Sequence, residues 1–269
     1  MKKVIIGILT VFLFLSCEEV IDVDLETAPP RLVVEASINW VNQTNGTNQQ
    51  IRLTQTAPYF DTEVPPANNA EVFILNEAGD RFDFIEDGNS GFYICTDFEP
   101  VIGSTYFLTV IYEGETYTAE ETMLPVPSFE YVTQSDGEVF SEEFIELKAF
   151  FQDPPNEENY YFYTFDAEND NTIDVIEDRL VDGNEIFAFF ASEELSVGED
   201  VEISLYGVSK RYFSFMSTLL DQTGTDGGGP FETQPATVRG NIINQTNFDN
   251  FAFGYFRLSQ TDRYTYTIE

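Results

Sequence analysis

From Arg31 onward the chain is cut into short apolar or alternating runs by turn signals, and this rhythm confines it to a mainly antiparallel β architecture. Leu32–Ile38 is apolar and β-branched, and Ile51–Thr54 alternates. Glu71–Leu75, Arg81–Ile85, Gly91–Cys95, Tyr106–Tyr112 and Glu115–Thr122 follow as further runs. Between them lie Asn45-Gly46, Pro65-Pro66, Ala78-Gly79-Asp80, Asp87-Gly88-Asn89, Gly103 and Glu113-Gly114. Such residues supply the positive or fixed φ that reverses a strand, so each cluster predicts a turn.

These runs predict an immunoglobulin-like antiparallel β-sandwich over residues 31–124. Met123-Leu-Pro-Val-Pro-Ser128 then reads as an extended connector, because each proline disfavours helix in the residue before it. A second β-rich domain is expected over residues 128–269. Its strands are Phe129–Gln134, Glu138–Gln152, Tyr160–Phe165, Glu185–Ala191, Val201–Tyr206, Val238–Ile243, Ala252–Leu258 and Thr265–Ile268. Tyr160–Phe165 is apolar on both faces, the mark of a strand covered on both sides, and Phe187–Phe190 reads as core. One helix interrupts the pattern near residues 209–221. Ser209 can cap it, and Tyr212, Phe213, Phe215, Met216, Leu219 and Leu220 recur at helical spacing. Gly224–Pro230 reads as a loop and not as a phosphate loop, since it has no lysine and no helix pattern follows.

The start of the chain fixes an address. Lys2 and Lys3 precede the uncharged apolar run Val4–Leu15, then Ser16, Cys17, Glu18 and Glu19. This is the order of a secretory signal peptide over residues 1–16, and its apolar run is shorter than the ~20 residues a spanning helix needs. Cys17 resembles the cysteine of a bacterial lipobox, which is acylated and becomes the first mature residue. The alternative is an ordinary leader with an incidental cysteine. Residues 17–30 are acidic, end in Pro29-Pro30, and read as a lipidated tether. Lipidation would leave Cys95 without a disulfide partner, since the chain has 2 cysteines.

Charge and missing residue types narrow the function. With 48 acidic and 12 basic residues the net charge is -36, which repels nucleic acid and favours cations or a basic partner. A composition of 42% hydrophobic and 15% aromatic residues can still fill a core. There is no histidine, so no Ser-His-Asp triad and no histidine metal ligand. No nucleophile–base constellation is visible, and a non-enzymatic protein is expected.

One acidic cluster has ligand-like spacing. Counting Asp166 as position 1, oxygens fall at 1, 3, 5, 7, 9 and 12: Asp166, Glu168, Asp170, the carbonyl of Thr172, Asp174 and Glu177. Calcium loops use this spacing because a hard cation takes six or more oxygens from one tight turn. Asn171 stands where glycine is expected, and the flanks read as strands, so an acidic hairpin loop is the competing reading. Trp40, Tyr59 and Phe60 lie near loops and could stack on a sugar ring, with packing the commoner role for such a Trp.

Taken in order, the motifs resemble domain-of-unknown-function family 4249, lipoproteins of Bacteroidota-type outer membranes. The resemblance runs from Cys17-Glu-Glu-Val-Ile-Asp-Val-Asp24 and Leu32-Val-Val-Glu-Ala through Asn69-Ala-Glu-Val-Phe and Gly91-Phe-Tyr. Gly103-Ser-Thr-Tyr-Phe-Leu-Thr-Val, Gly114-Glu-Thr-Tyr-Thr-Ala, Asp221-Gln222, Gly229-Pro230-Phe231, Arg239-Gly-Asn-Ile and Phe253-Gly-Tyr-Phe256 complete it. The resemblance implies a lipid-anchored, surface-exposed outer-membrane lipoprotein that serves a TonB-dependent receptor as an accessory subunit. It carries over no catalytic residue set, and apart from the calcium considered above no cofactor is expected. The alternative is a free-standing surface module for a ligand, a glycan or adhesion, stabilised by calcium or not.

Overall fold

A computed structural model describes residues 28–58, 61–139, 142–223 and 237–269. The signal peptide, Cys17, most of the tether, Tyr59, Phe60 and Gly224–Pro230 lie outside the described residues. The first unit is built from β1 (Leu32–Val41), β2 (Gln49–Gln55), β3 (Glu71–Asn76), β4 (Arg81–Glu86), β5 (Phe92–Cys95), β6 (Thr105–Tyr112) and β7 (Glu115–Thr122). Alternate residues point into one core: Leu32, Val34, Ala36 and Ile38 on β1, Ile51 and Leu53 on β2, Tyr106, Leu108 and Val110 on β6. This is the period of two that the sequence shows. Glu113 (φ 49°) and Gly114 (φ 81°) form the two-residue link between β6 and β7, with the paired positive φ of a type I′ hairpin turn. Cys95 is buried in this core.

The second unit has two layers. β8 (Phe129–Val139), β9 (Glu142–Gln152) and β12 (Glu185–Ser192) form a three-stranded antiparallel sheet in the order β12-β9-β8. β10 (Tyr160–Asp166), β11 (Asn171–Glu177) and β13 (Asp200–Gly207) belong to a larger sheet behind it. Tyr161, Tyr163 and Phe165 face the three-stranded sheet across the second core, while Phe162 turns the other way toward the helix. That explains why Tyr160–Phe165 is apolar throughout. The helix α1 (Lys210–Thr223) is capped by Ser209, whose Oγ accepts the Tyr212 N–H at 3.2 Å. Tyr212 and Met216 pack on Phe162, Tyr206 and Tyr255. Among the described residues no helix is long and apolar enough to cross a membrane.

The two cores change over between Met123 and Val126, within the connector expected from the prolines. The division is not a simple cut in the chain, however. The expected strands 252–258 and 265–268 are one fifteen-residue strand, β15 (Phe253–Thr267). Its first part pairs in parallel with β1, from Val33↔Phe253 to Val41↔Thr261. Its second part pairs antiparallel with β13, from Tyr206↔Thr261 to Asp200↔Thr267. Ile242, Ala252, Phe256 and Leu258 therefore lie in the first core, although they belong in sequence to the second unit. Residues 238–243, read as a strand, contribute only the short β14 (Ile243–Asn244), paired with β7. Gly254 permits the parallel approach: a Cβ there would stand 2.0 Å from the Val34 carbonyl oxygen, and its φ is +94°. The result is mainly β and sandwich-like, with a twelve-stranded sheet running through both units.

Candidate functional site

The six residues with calcium-loop spacing are spread along a hairpin and do not converge. Ala167 N–H donates to the Asp170 carbonyl, closing a tight turn, and β11 then runs back along β10. Asp166 is opposite Asn171, Asp174 opposite Tyr163, and Glu177 opposite Tyr160. At about 3.3 Å per residue, Glu177 is about 20 Å down the strand from Asn171. The groups have other partners. Asp166 accepts from Thr164, Asp174 from Tyr163, and Glu177 pairs with Arg179. Glu168 offers its own N–H to Glu199. The acidic sequence encodes a strand because β10 provides a ladder for it, which spacing alone does not reveal.

Carboxylates converge elsewhere. Asp153 follows β9, Asp178 follows β11, and Asp182 lies in the next turn, with one oxygen of each within 4.8 Å of the others. Asp153 and Asp178 are buried, and no lysine or arginine forms an ion pair with any of the three among the described residues. Each accepts from a fixed donor. The Tyr161 hydroxyl (2.5 Å) and Gly183 N–H (2.9 Å) serve Asp153, the Asn159 N–H (2.8 Å) serves Asp178, and the Asn156 N–H (2.8 Å) serves Asp182. Burial, and then Asp153, push the Tyr161 phenol far above its ordinary range, so it stays a donor. These hydrogen bonds staple three loops together, and the same oxygens are the donor type that a hard divalent cation takes. Asp153 opens the turn-like run Asp153-Pro-Pro-Asn156, and only the long-range meeting of 153 with 178 and 182 exposes the cluster.

An exposed apolar feature near this junction is the outer face of the three-stranded sheet. β12 alternates strictly: Ile186, Ala188 and Phe190 go inward, while Phe187 (42% exposed) and Phe189 (39%) face out. Phe187, Phe150 and Tyr131 (41%) stand in register across the three strands. Their ring centroids are 5.2 and 4.7 Å apart. Tyr131 and Phe150 meet face to face at 16°, while Phe150 and Phe187 are tilted at 53°. Lys148 lies 5.7 and 5.8 Å over Phe187 and Phe189, and the Tyr131 hydroxyl donates to Glu185. Around the edge of β12 the row continues into a cleft of about 340 Å³ lined by Ile176, Leu180, Val181, Ile186 and Phe187. Leu180 is 88% exposed there. Phe187 and Phe189 were read as core; the alternation of Glu185–Ser192 was the signal that separates them from Phe190.

Other candidates resolve as packing. Trp40 sits against the first core, and its Nε1–H donates to the Thr44 carbonyl at 2.9 Å. Burial pushes the Cys95 thiol up to about 11, which keeps it protonated.

The family described as Domain of unknown function (DUF4249) matches residues 18–265. No curated protein matches. Among solved structures, the chain is similar to a two fibronectin type-III domain segment from chicken tenascin, at 15% identity over 68% of this chain and 89% of that one, with a TM-score of 0.20. It is also similar to a DUF4785 family protein from Legionella pneumophila, at 8% identity over 68% and 54% of the two chains, TM-score 0.26. A third is the FN1–FN3 region of chicken CNTN1, at 14% identity over 68% and 62%, TM-score 0.24.

Proposed function

We propose, on the premise that the chain belongs to the DUF4249 family, that it is a non-enzymatic lipoprotein anchored through Cys17 to the outer membrane and exposed at the cell surface. There it acts as an accessory subunit of a TonB-dependent receptor in ligand capture or uptake. The observation that carries this reading is the Tyr131–Phe150–Phe187–Phe189 face with the adjoining Leu180 cleft. A contiguous apolar surface on a molecule of net charge -36 has little use except to be covered.

The leader supports the location. A basic start, a short apolar run and a cysteine before Glu18-Glu19 are the order of a lipoprotein export signal. Acyl chains hold a protein at about 0.8 kcal/mol per buried CH₂, so several on one cysteine anchor it firmly. The anchor confines the domain to the membrane plane, where a receptor is present at high effective concentration. Acidic flanks steer it to a basic extracellular face, an attraction that salt weakens. The test is copurification of the tagged lipoprotein from mild detergent at low and high salt. A receptor that copurifies and loosens as salt rises supports the reading. Recovery of the lipoprotein alone at every salt concentration, from cells expressing the receptor, favours a free-standing binding module.

A further inference from the structure

In this acidic chain most cations are spoken for. Arg52, Arg81, Lys148, Arg179, Lys210 and Arg263 each have a carboxylate within 4.0 Å. Among the described residues, Arg31, Arg211, Arg239 and the buried Arg257 have none, and the first three lie at one corner. Arg31 and Arg239 both stack on the Phe251 ring, with guanidinium carbons 3.9 and 3.7 Å from its centroid. Arg239 and Arg211 together line a cleft of about 260 Å³ beside Phe215 and Tyr255. Stacking on an aromatic face holds a guanidinium in place and leaves part of its N–H fork for other acceptors.

An exposed aromatic stands beside them. Phe248 is 72% exposed, on a turn tied to the Arg31 side chain, whose Nη1 donates to the carbonyls of Asp249 and Phe251. The turn is rigidly built. Asn244 Oδ1 accepts from the N–H groups of Thr246 and Asn247, and Glu115 Oε2 accepts from Asn244 and Asn250. The acids nearest this corner are largely engaged: Glu115 by these amides and Tyr117, and Glu121 by Ser209 and Tyr255. Asp249 stands on the same turn, its N–H donating to Asn247 Oδ1 at 3.2 Å, and Glu120 shares a neighbouring cleft with Arg211.

The corner is also where the tether arrives. β1 begins at Leu32, directly after Arg31, and Cys17 lies fourteen residues before Arg31 in the sequence. A chain of that length reaches at most about 50 Å. We propose that this corner faces the membrane to which the chain is tethered, with Arg31, Arg211 and Arg239 on lipid headgroup phosphates and Phe248 in the interfacial layer. Arginine and aromatic side chains are the pair that occupies that layer. The inference rests on the lipid-anchor reading above. It adds an orientation of the molecule on the membrane.

The test uses the mature lipoprotein reconstituted in phosphatidylcholine vesicles containing phosphatidylglycerol, with and without brominated acyl chains. Phe248→Trp places a reporter at an exposed position, and the parent protein supplies the Trp40 background. The reporter should shift to the blue and lose emission to the brominated lipid. The same indole from Leu180→Trp should remain quenchable by acrylamide. Arg31→Ser with Arg239→Ser should weaken the lipid contact about fivefold per arginine, with the circular-dichroism spectrum unchanged. An indole at position 248 that acrylamide reaches as freely as at 180, and that brominated lipid does not quench, overturns the proposal. So does protection that appears only when a copurified receptor is present, or that inorganic phosphate alone reproduces. The mass of the mature N-terminus reports the anchor separately, so a missing acyl group and a misplaced corner are distinguishable.

Discussion

Arg257 and Asn39, 218 residues apart, meet where β15 runs beside β1: the guanidinium Nη2 donates to Asn39 Oδ1 at 3.0 Å. Arg257 is 4% exposed and has no carboxylate partner among the described residues. Its charge is met by aromatic faces, with Tyr206 at 4.6 Å, Tyr212 at 5.3 Å and Phe162 at 5.6 Å. One side chain thus joins β1 of the first unit, two strands of the second and the helix. Lysine cannot reproduce the planar fork or the stacking. Arg257→Lys should cost about 2–3 kcal/mol, the cost of leaving buried polar groups unpaired, read as a lower urea midpoint. An unchanged midpoint contradicts the role.

Cys95 should be inert in the native protein. Burial pushes its thiol up to about 11, and Asp97 accepts its S–H. At about pH 8 a free exposed thiol reacts readily as thiolate. Native protein should label only after denaturation; stoichiometric labelling of the folded state contradicts the packing.

Glu121 gives stability a definite pH dependence. Burial holds its carboxyl above the usual range, against the opposing donors Ser209, Thr122 N–H and Tyr255 and the charge of Arg211. A folded value above the unfolded one means the stabilisation is full below the unfolded value and is lost as pH rises through the folded one. The stability difference between wild type and Glu121→Gln should therefore shift against wild type as pH rises above the unfolded carboxyl's value of about 4. Urea midpoints of both proteins across that rise measure it. A difference that is flat or moves the other way contradicts the assignment.

Calcium should not act through the 166–177 hairpin. Its acidic groups are distributed along a strand, with Asp174 on Tyr163 and Glu177 on Arg179. Asp170→Ala with Glu177→Ala should leave any response of the melting temperature to millimolar calcium equal to that of wild type. Loss of a wild-type response in that double variant would restore the loop reading.

Most strands were legible because a half-buried strand writes its period into the sequence, as in Leu32–Ile38 or Glu115–Thr122. β15 was not. Ser259 and Thr261 break its hydropathy, yet both are fully buried where the strand passes from one unit to the other. Asn171–Glu177 was missed for the complementary reason: its composition is that of a loop, and its ladder is supplied by β10. The helix was legible from the spacing of Tyr212, Met216 and Leu219 after the Ser209 cap. The aromatic face was half legible, since Phe187–Phe190 is apolar at almost every position and only register assigns its two sides. The Asp153 junction was invisible, because its members are separated by whole strands.

The central claim is that the outer aromatic face of the three-stranded sheet holds a membrane partner. The most direct measurement is copurification, at low salt and from mild detergent, of wild type against Phe187→Ser with Phe189→Ser. Both side chains point outward, so the variant should fold and melt nearly as wild type does. Wild type should bring an outer-membrane receptor with it, and the variant should lose most of it. Equal recovery of the receptor by both proteins would contradict the account.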